Sequence, residues 1–163
     1  MIDDKKIDYL VGKKAKLNVF FEPFSFKIIN FLNDLSKSLD NSFNNKNFPD
    51  LKALSFFCRK NNILKLKEKH QIKESVRFGL GLLFHITPSN IPTNFAYSLI
   101  FGLISGNSNI IKVPSKKFDE IEIICKSINF ILNKKKYNKI RNMMAVIRYD
   151  SENNLLTKKF SSI

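Results

Sequence analysis

Residues 78–115 read FGLGLLFHITPSNIPTNFAYSLIFGLISGNSNIIKVPS, and this stretch sets the fold class of the chain. The apolar run 78–86 is typical of a buried strand, and it ends at a turn that contains two prolines. Residues 93–105 are apolar on nearly every side, which predicts a buried helix, and residues 109–113 form a second short apolar run. Strand, helix and strand in this order predict a parallel unit of an α/β sheet.

The alternation continues toward the carboxyl end of the chain. Residues 118–132 have the spacing of an amphipathic helix, residues 143–148 that of a third strand and residues 153–160 that of a further helix. The resulting order, β-α-β-α-β-α, predicts a parallel sheet with right-handed crossovers. Ligands of such sheets bind beyond the carboxyl ends of the strands. Three loops are therefore candidate binding segments: residues 87–92, 114–118 and 149–152.

The first half of the chain has helical patterns instead. Residues 23–39 carry apolar side chains near helical spacing, and Pro49 suits the first turn of a second helix. Residues 62–73 predict a third, basic helix. We therefore expect an N-terminal helical segment over residues 1–75 and an α/β domain over residues 76–163.

The chain is strongly basic. The formal net charge is +14, from 28 basic and 14 acidic residues, which makes nucleic acid a candidate partner. Only four of the basic residues are Arg, the side chain that grips phosphates bidentately, and Lys is enriched together with Asn, Ile and Phe. Such a composition is typical of an AT-rich coding sequence, so we expect a solvated lysine surface and no specific nucleic-acid partner. A small basic module that binds nucleic acid or another polyanion is the alternative function.

The cysteines and the apolar segments limit the class of protein further. Cys58 and Cys125 cannot form a disulfide framework, and neither has a metal-type spacing. The first ten residues, MIDDKKIDYL, lack the apolar core of a signal peptide, and the apolar stretch around residues 95–105 is too short to span a bilayer. We therefore expect a cytoplasmic protein without a metal site or a membrane partner, with both cysteines in the core.

The strand-end loops hold the candidate functional side chains. The chain contains neither G-x-G-x-x-G nor G-x-x-x-x-G-K-[ST], so no standard phosphate-binding loop is expected. Pro88 and Pro92 restrict the backbone around Asn90, whose amide N–H would then suit a developing oxyanion. Capping of the helix that begins near Thr93 is the alternative role for Asn90. Lys112 lies at the end of the second strand, as a ligand contact or as an ordinary solvated strand end.

Two of these loops resemble the aldehyde dehydrogenase superfamily. Residues 88–92 resemble its P-W-N-F-P turn, with Ser for Trp and Ile for Phe, and residues 107–115 resemble its G-N-x-x-x-x-K strand and turn. More narrowly, the chain resembles the long-chain acyl-CoA reductase family that is known from bacterial luminescence. The segments that carry this resemblance are residues 31–36, 54–61, 81–92 and 97–115. The resemblance implies that the sheet is part of a parallel, Rossmann-like nucleotide-binding sheet of the aldehyde dehydrogenase type.

The resemblance also implies an oxidoreductase reaction. A long-chain acyl-CoA or acyl-thioester forms a thioester on an enzyme cysteine, and hydride from NADPH reduces it to the aldehyde. The implied roles are Asn90 as the oxyanion donor, Ile86, Thr87, Pro88 and Ser89 along the cofactor, and Lys112 at the adenine-side ribose. The superfamily often has Glu where this chain has Ser115, and a serine next to Lys116 and Lys117 tolerates a 2′-phosphate. We therefore expect NADP rather than NAD as the cofactor.

The resemblance covers only part of such an enzyme. In the family the nucleophilic cysteine lies in a separate catalytic domain, and neither Cys58 nor Cys125 matches it. We therefore expect this chain to be the N-terminal portion of a reductase and to be inactive alone. A homo-oligomer is a further expectation, since the unpaired edge of a half-sheet favours association. The resemblance also implies an acyl-transferring partner protein. His85 is expected to be structural, because nothing in the sequence gives it the partner of a base.

Overall fold

The computed structural model describes residues 7–13, 19–42, 48–70 and 77–162. Within these ranges the chain has an α/β structure. Its strands are β1 (Asp8–Val11), β2 (Leu82–Ile86), β3 (Ser108–Val113) and β4 (Met144–Arg148). Its helices are α1 (Phe26–Ser42), α2 (Pro49–Phe57), α3 (Lys60–His70), α4 (Asn94–Ile104), α5 (Asp119–Leu132), α6 (Asn138–Arg141) and α7 (Asn154–Ser161). A short 3-10 helix, Lys135–Tyr137, precedes α6.

The four strands form a sheet in the order β1-β4-β3-β2. The three predicted strands are parallel, with β3 between β2 and β4. Strand β1 pairs antiparallel with β4, with Asp8 opposite Arg148, so the predicted parallel sheet is in fact mixed. The sequence pattern missed β1 because only Ile7 and Val11 are buried in this short stretch, which leaves no run of alternating apolar residues.

Strand β2 is shorter than predicted, because it begins at Leu82 and not at residue 78. Gly81 has a φ of +121°, a conformation that residues with a side chain rarely adopt, and it separates the strand from the preceding segment. Phe78 and Leu80 are 79% and 92% exposed. The prediction of a buried strand over residues 78–86 was therefore wrong at its amino end.

The two inner strands are buried on both faces. Alternate residues such as Ile111 and Val146 belong to a larger core that includes α1, α4 and α5. Their neighbours Ile110 and Ile147 belong to a second core, on which α7 packs through Phe160. Since side chains alternate across a strand, these two cores lie on opposite faces of the sheet. The strands predicted over residues 109–113 and 143–148 are confirmed as Ser108–Val113 and Met144–Arg148.

The N-terminal helices pack outside α4 and α5. The larger core continues from the sheet into α1, α2 and α3, through buried side chains such as Phe31, Leu54 and Ile63. The basic helix predicted over residues 62–73 is α3, and its predicted end lies outside the described residues. The expected domain boundary between residues 75 and 76 also lies outside them and stays a prediction. Among the described helices, none is both long and apolar enough to cross a membrane.

Candidate functional site

The loops that follow β2, β3 and β4 meet at one edge of the sheet. This position follows from the parallel pairing of the three strands, whose carboxyl ends lie at the same edge. Thr87, the first residue after β2, is buried and donates twice to the carbonyl oxygen of Lys112. Its backbone N–H lies 3.1 Å and its Oγ1 3.0 Å from that oxygen. The first loop is thereby fixed to the end of β3.

Lys112 is the buried cation of this edge. Only 7% of the residue is exposed, so it is not a solvated strand end. Its Nζ lies 3.4 Å from Ser151 Oγ and 5.2 Å from the ring centroid of Tyr149. Burial lowers the pKa of Lys112 below its ordinary value of 10.5, and the charge of Asp150 opposes that shift in part. Within the described part of the chain, no carboxylate oxygen lies within 4.0 Å of this ammonium group.

Ser115 joins the second loop to the third. Its Oγ lies 3.1 Å from the carbonyl oxygen of Tyr149 and 2.9 Å from Ser151 Oγ. The same oxygen accepts the backbone N–H of Ser151 at 3.1 Å. Three hydrogen bonds therefore hold two loops that are 36 residues apart in sequence, and we call this contact the serine latch.

Asn90 lies in the first loop with an exposed side chain. The residue at the N-cap of α4 is Thr93, and it makes no side-chain capping bond. The Asn90 carboxamide makes no hydrogen bond to any of the described residues, so the capping role is not observed. Its N–H groups are free to donate to a ligand.

The sequence-predicted residues fall into two groups. Thr87, Lys112 and Ser115 are linked through direct hydrogen bonds or through Ser151. The remaining predicted residues lie on the same edge, but their side chains make no hydrogen bond to that cluster. Those residues are Ile86, which is 57% exposed, and Pro88, Ser89 and Asn90, which are also exposed.

The sequence pattern predicts the third loop, residues 149–152, as a binding segment, but it singles out no residue within that loop. The structure adds Ser151, which contacts both Lys112 and Ser115, and Tyr149, whose ring lies beneath the lysine. The Tyr149 hydroxyl lies 3.0 Å from Thr157 Oγ1, which ties the loop to α7. Position immediately after the third strand was the signal that could have identified these residues.

Charged side chains surround the latch. Lys116 and Lys117 follow Ser115 and are exposed, and the Lys116 Nζ lies 5.3 Å from the ring centroid of Phe118. Asp150 and Glu152 flank Ser151 on the third loop and are exposed as well. The edge therefore carries both signs of charge, with the buried Lys112 at its base.

Arg148 anchors the start of the second loop by a hydrogen bond to its backbone. The residue is 7% exposed, and its Nε donates to the carbonyl oxygen of Pro114 at 3.2 Å. Its Nη2 lies 2.9 Å from Glu122 Oε1, and its Nη1 lies 3.8 Å from Asp8 Oδ2. The buried guanidinium is thus paired on both sides, and it joins β1, β4, α5 and the backbone before Ser115.

His85 belongs to a structural network on the other face of the sheet. Its Nε2 lies 3.0 Å from Asn109 Oδ1, and Asn109 Nδ2 donates to the carbonyl oxygen of Asn107 at 2.8 Å. Asn107 Oδ1 in turn accepts the backbone N–H of Gly81 at 3.0 Å. These bonds join β2 and the residue before it to β3, and they give His85 Nε2 a structural partner.

Both cysteines are core residues, as predicted. Cys58 caps the carboxyl end of α2 and Cys125 lies within α5, and both are buried. Burial raises the pKa of Cys58 to about 12. Burial also raises the pKa of Cys125, and the charge of Glu122 adds to that shift. Since the thiolate is the nucleophile, neither thiol is set for attack at neutral pH.

Comparison with known protein families identifies one family whose model matches the chain. The family model described as acyl-CoA reductase (LuxC) matches residues 58–162, which is more than half of the chain. The matched span contains β2, β3 and β4 with all three strand-end loops. No curated protein and no solved structure matches the chain significantly. On the strength of a match that covers more than half of the chain, including the three parallel strands and the loops that follow them, the chain belongs to the acyl-CoA reductase (LuxC) family.

Proposed function

We propose that this chain binds NADP for the reduction of a long-chain acyl-CoA or acyl-thioester to an aldehyde. Membership of the family supports acyl-CoA reductase chemistry. The observation that carries the cofactor proposal is the buried ammonium group of Lys112 at the carboxyl edge of a largely parallel sheet. Dinucleotides bind at this edge in α/β sheets of this kind.

The donor set at the edge fits the adenosine half of such a cofactor. Lys112 has no carboxylate partner within 4.0 Å among the described residues, and a buried cation without one favours a ligand that is anionic or rich in oxygen. Lys112 would hold the ribose hydroxyls, and the backbone after β2 would line the cofactor. When bound, the cofactor supplies the hydride for the reduction.

A preference for NADP over NAD follows from the side chain at position 115. A carboxylate there would bind ribose hydroxyls but repel a 2′-phosphate, whereas Ser115 is neutral and Lys116 and Lys117 are nearby cations. Asp150 and Glu152 weaken this attraction without cancelling it, since the buried Lys112 adds a third positive charge.

Calorimetric titration of the 163-residue chain with NADPH and NADH tests the proposal. We expect NADPH to bind at least about tenfold more tightly, equivalent to about 1.4 kcal/mol. Lys112→Met should weaken the binding of both cofactors, and Lys69→Met, at an exposed position of α3, is the matched control. Equal affinities, or tighter binding of NADH, would contradict the preference for NADP.

Asn90 is the proposed oxyanion donor of the reaction. Attack of a thiolate on the acyl carbonyl and delivery of hydride both place negative charge on the carbonyl oxygen. An amide N–H held near that oxygen stabilises both transition states, and loss of one such donor costs about 100-fold to 1000-fold in rate. The exposed Asn90 carboxamide, between Pro88 and Pro92, is available for this contact.

The attacking thiol comes from elsewhere in this proposal. Cys58 and Cys125 are buried and their pKa values are raised, so neither forms the enzyme thioester. We therefore propose that the 163-residue chain has no reductase activity by itself, and sustained NADPH oxidation with acyl-CoA would contradict this.

The polyanion-binding alternative has less support from the described contacts. Its support in the sequence is the net charge together with the basic run Lys134–Lys136. Lys134 and Lys136 lie 3.6 Å and 2.8 Å from the Asp34 carboxylate, so part of the run serves an internal ion pair. Tight binding of duplex DNA with a steep dependence on salt would favour this alternative.

A further inference from the structure

The hydrogen bonds of the serine latch have one direction. Ser115 Oγ lies 3.1 Å from the Tyr149 carbonyl oxygen, and since a carbonyl only accepts, Ser115 donates its hydrogen there. Ser115 then has no hydrogen left for Ser151 Oγ at 2.9 Å, so Ser151 is the donor of that bond. Ser151 Oγ in turn accepts from the Lys112 ammonium at 3.4 Å. The order of donation is therefore Lys112 to Ser151, Ser151 to Ser115, and Ser115 to Tyr149.

This order leaves Ser115 without capacity for a ligand. A hydroxyl has one hydrogen and two lone pairs. The hydrogen of Ser115 goes to the Tyr149 carbonyl, and its lone pairs accept the backbone N–H of Ser151 at 3.1 Å and the hydroxyl of the same residue. Ser115 therefore acts on a bound cofactor through its neighbours, and direct contact with the cofactor falls to Lys112.

The order of donation also determines where the hydrogens of the Lys112 ammonium group point. The ammonium group has three hydrogens, one of which is held by Ser151. The Tyr149 ring lies 5.2 Å from Nζ and occupies a second direction. The third hydrogen is available for a ribose hydroxyl or a phosphate. A lysine tethered at its tip loses less conformational freedom when the ligand binds.

We propose that Ser151 is a positioning residue of the cofactor site, which aims the Lys112 ammonium at the ligand through the serine latch. This inference rests on the proposed function, since it assumes that Lys112 binds the adenosine half of NADP. Ser151 belongs to the third strand-end loop, and Lys112 lies in β3, which the second loop follows, so the latch joins these two loops beside the lysine. The residue that the resemblance placed on the cofactor, Ser115, becomes the anchor of the latch.

The test uses the 163-residue chain with NADPH and with adenosine 2′,5′-bisphosphate, which represents only the adenosine half with its 2′-phosphate. Calorimetry gives the dissociation constants for the wild type and for the variants Ser151→Ala, Ser151→Thr and Ser115→Ala. Ser105→Ala is the matched control, because Ser105 is exposed at the carboxyl end of α4, whereas the first strand-end loop leads into the amino end of that helix. Thermal unfolding of each variant shows whether the fold is retained.

We expect Ser151→Ala to weaken both ligands by about tenfold, which matches the loss of one hydrogen bond to a charged group. Ser151→Thr keeps the hydroxyl and should restore most of the affinity. Ser115→Ala should weaken binding by a similar factor, and the double variant should be little worse than either single one, because the two residues act in one relay. A loss of affinity that leaves the unfolding temperature unchanged and that threonine reverses is a result that a merely structural serine would not produce.

Unchanged affinity in Ser151→Ala, or losses that simply add in the double variant, would overturn the positioning role and leave the proposed function intact. Absence of NADPH binding to the wild type would overturn both. Should Ser151→Ala lower the unfolding temperature strongly, Ser151→Cys keeps the volume of the side chain but is a weak acceptor. Wild-type affinity in that variant would equally overturn the proposal.

Discussion

Lys112 is the central residue of the proposed cofactor site. Its position at the end of β3 is visible in the sequence, where it could be an ordinary solvated end. In the structure it is 7% exposed, between the Tyr149 ring and the serine latch. Burial lowers the pKa of this ammonium group from its ordinary value of 10.5. Burial removes water from the charged ammonium group, which is unfavourable. A phosphate or ribose ligand would compensate by accepting its hydrogen bonds.

The lowered pKa predicts how NADPH affinity depends on pH. As the pH rises through the pKa of Lys112, which lies below 10.5, the ammonium loses its charge and the affinity should fall. In the same window the unfolded chain binds more protons at this group, so its contribution to stability should rise with pH. Calorimetry between pH 7 and pH 10 checks the first effect, with Lys112→Met expected to lose that part of the dependence. An identical pH profile in wild type and variant would contradict the assignment.

Helix α4 packs closely on strand β3 at Gly102. Gly102 faces the Asn109 side chain, and an added Cβ would fall directly on Asn109 Oδ1. That carboxamide is not free to move, since it is bonded to His85 and to the Asn107 carbonyl oxygen. Glycine in a helix is unfavourable by itself, so its use here reflects the close approach.

Gly102→Ala is therefore expected to destabilise the fold. The helix gains about 1 kcal/mol in propensity, but the overlap with Asn109 costs about 1 to 3 kcal/mol of overpacking together with strained hydrogen bonds. We expect a net loss of about 1 kcal/mol in the free energy of unfolding in urea. In the Asn109→Ser background, which has a shorter opposing side chain, the same glycine substitution should cost less stability than it does in the wild type. A variant as stable as the wild type would show that the helix can shift away.

Across the whole chain, polar contacts tie the N-terminal helices to the α/β part. Asp34 in α1 accepts a hydrogen bond from Tyr137 Oη at 2.9 Å and from Lys136 Nζ at 2.8 Å. Burial by itself would raise the pKa of Asp34, but these bonds and the charges of Lys136 and Lys134 outweigh it, so the pKa lies below 3.8. The carboxylate is therefore more stable in the folded chain than in the unfolded one.

Asp34→Asn should lower the free energy of unfolding by about 1 kcal/mol at neutral pH, because the lysines are partly exposed and screened. The contribution of Asp34 is present above the unfolded value of 3.8 and is lost as the pH falls through the lower pKa of the folded state. Wild type and variant should therefore converge in acid, as measured by urea unfolding. Glu68→Gln, at an exposed position of α3, is the control. A difference that persists at pH 2 would contradict the role of the ion pair.

Much of the architecture is predictable from local pattern. The three parallel strands, α4, α5 and α7 lie close to their predicted positions, because apolar periodicity, prolines and glycines act over a few residues. Strand β1 was missed since its pairing with β4 lies more than 130 residues away in sequence. The amino end of β2 was misplaced since the φ of Gly81 depends on its surroundings.

The candidate site also has features that the sequence predicts and features that depend on the folded chain. The sequence pattern was enough to predict the carboxyl edge of the sheet and its three loops, because parallel strands bring their ends together whatever their side chains are. The choice of Lys112 as a cofactor contact came from the family resemblance. The burial of Lys112, the free carboxamide of Asn90 and the contact between Ser115 and Ser151 depend on the folded chain. No local pattern pairs two serines 36 residues apart. Their contact exists because the order of the strands places one loop beside the other, and the hydrogen-bonding capacity of each hydroxyl then sets what the site can offer a ligand.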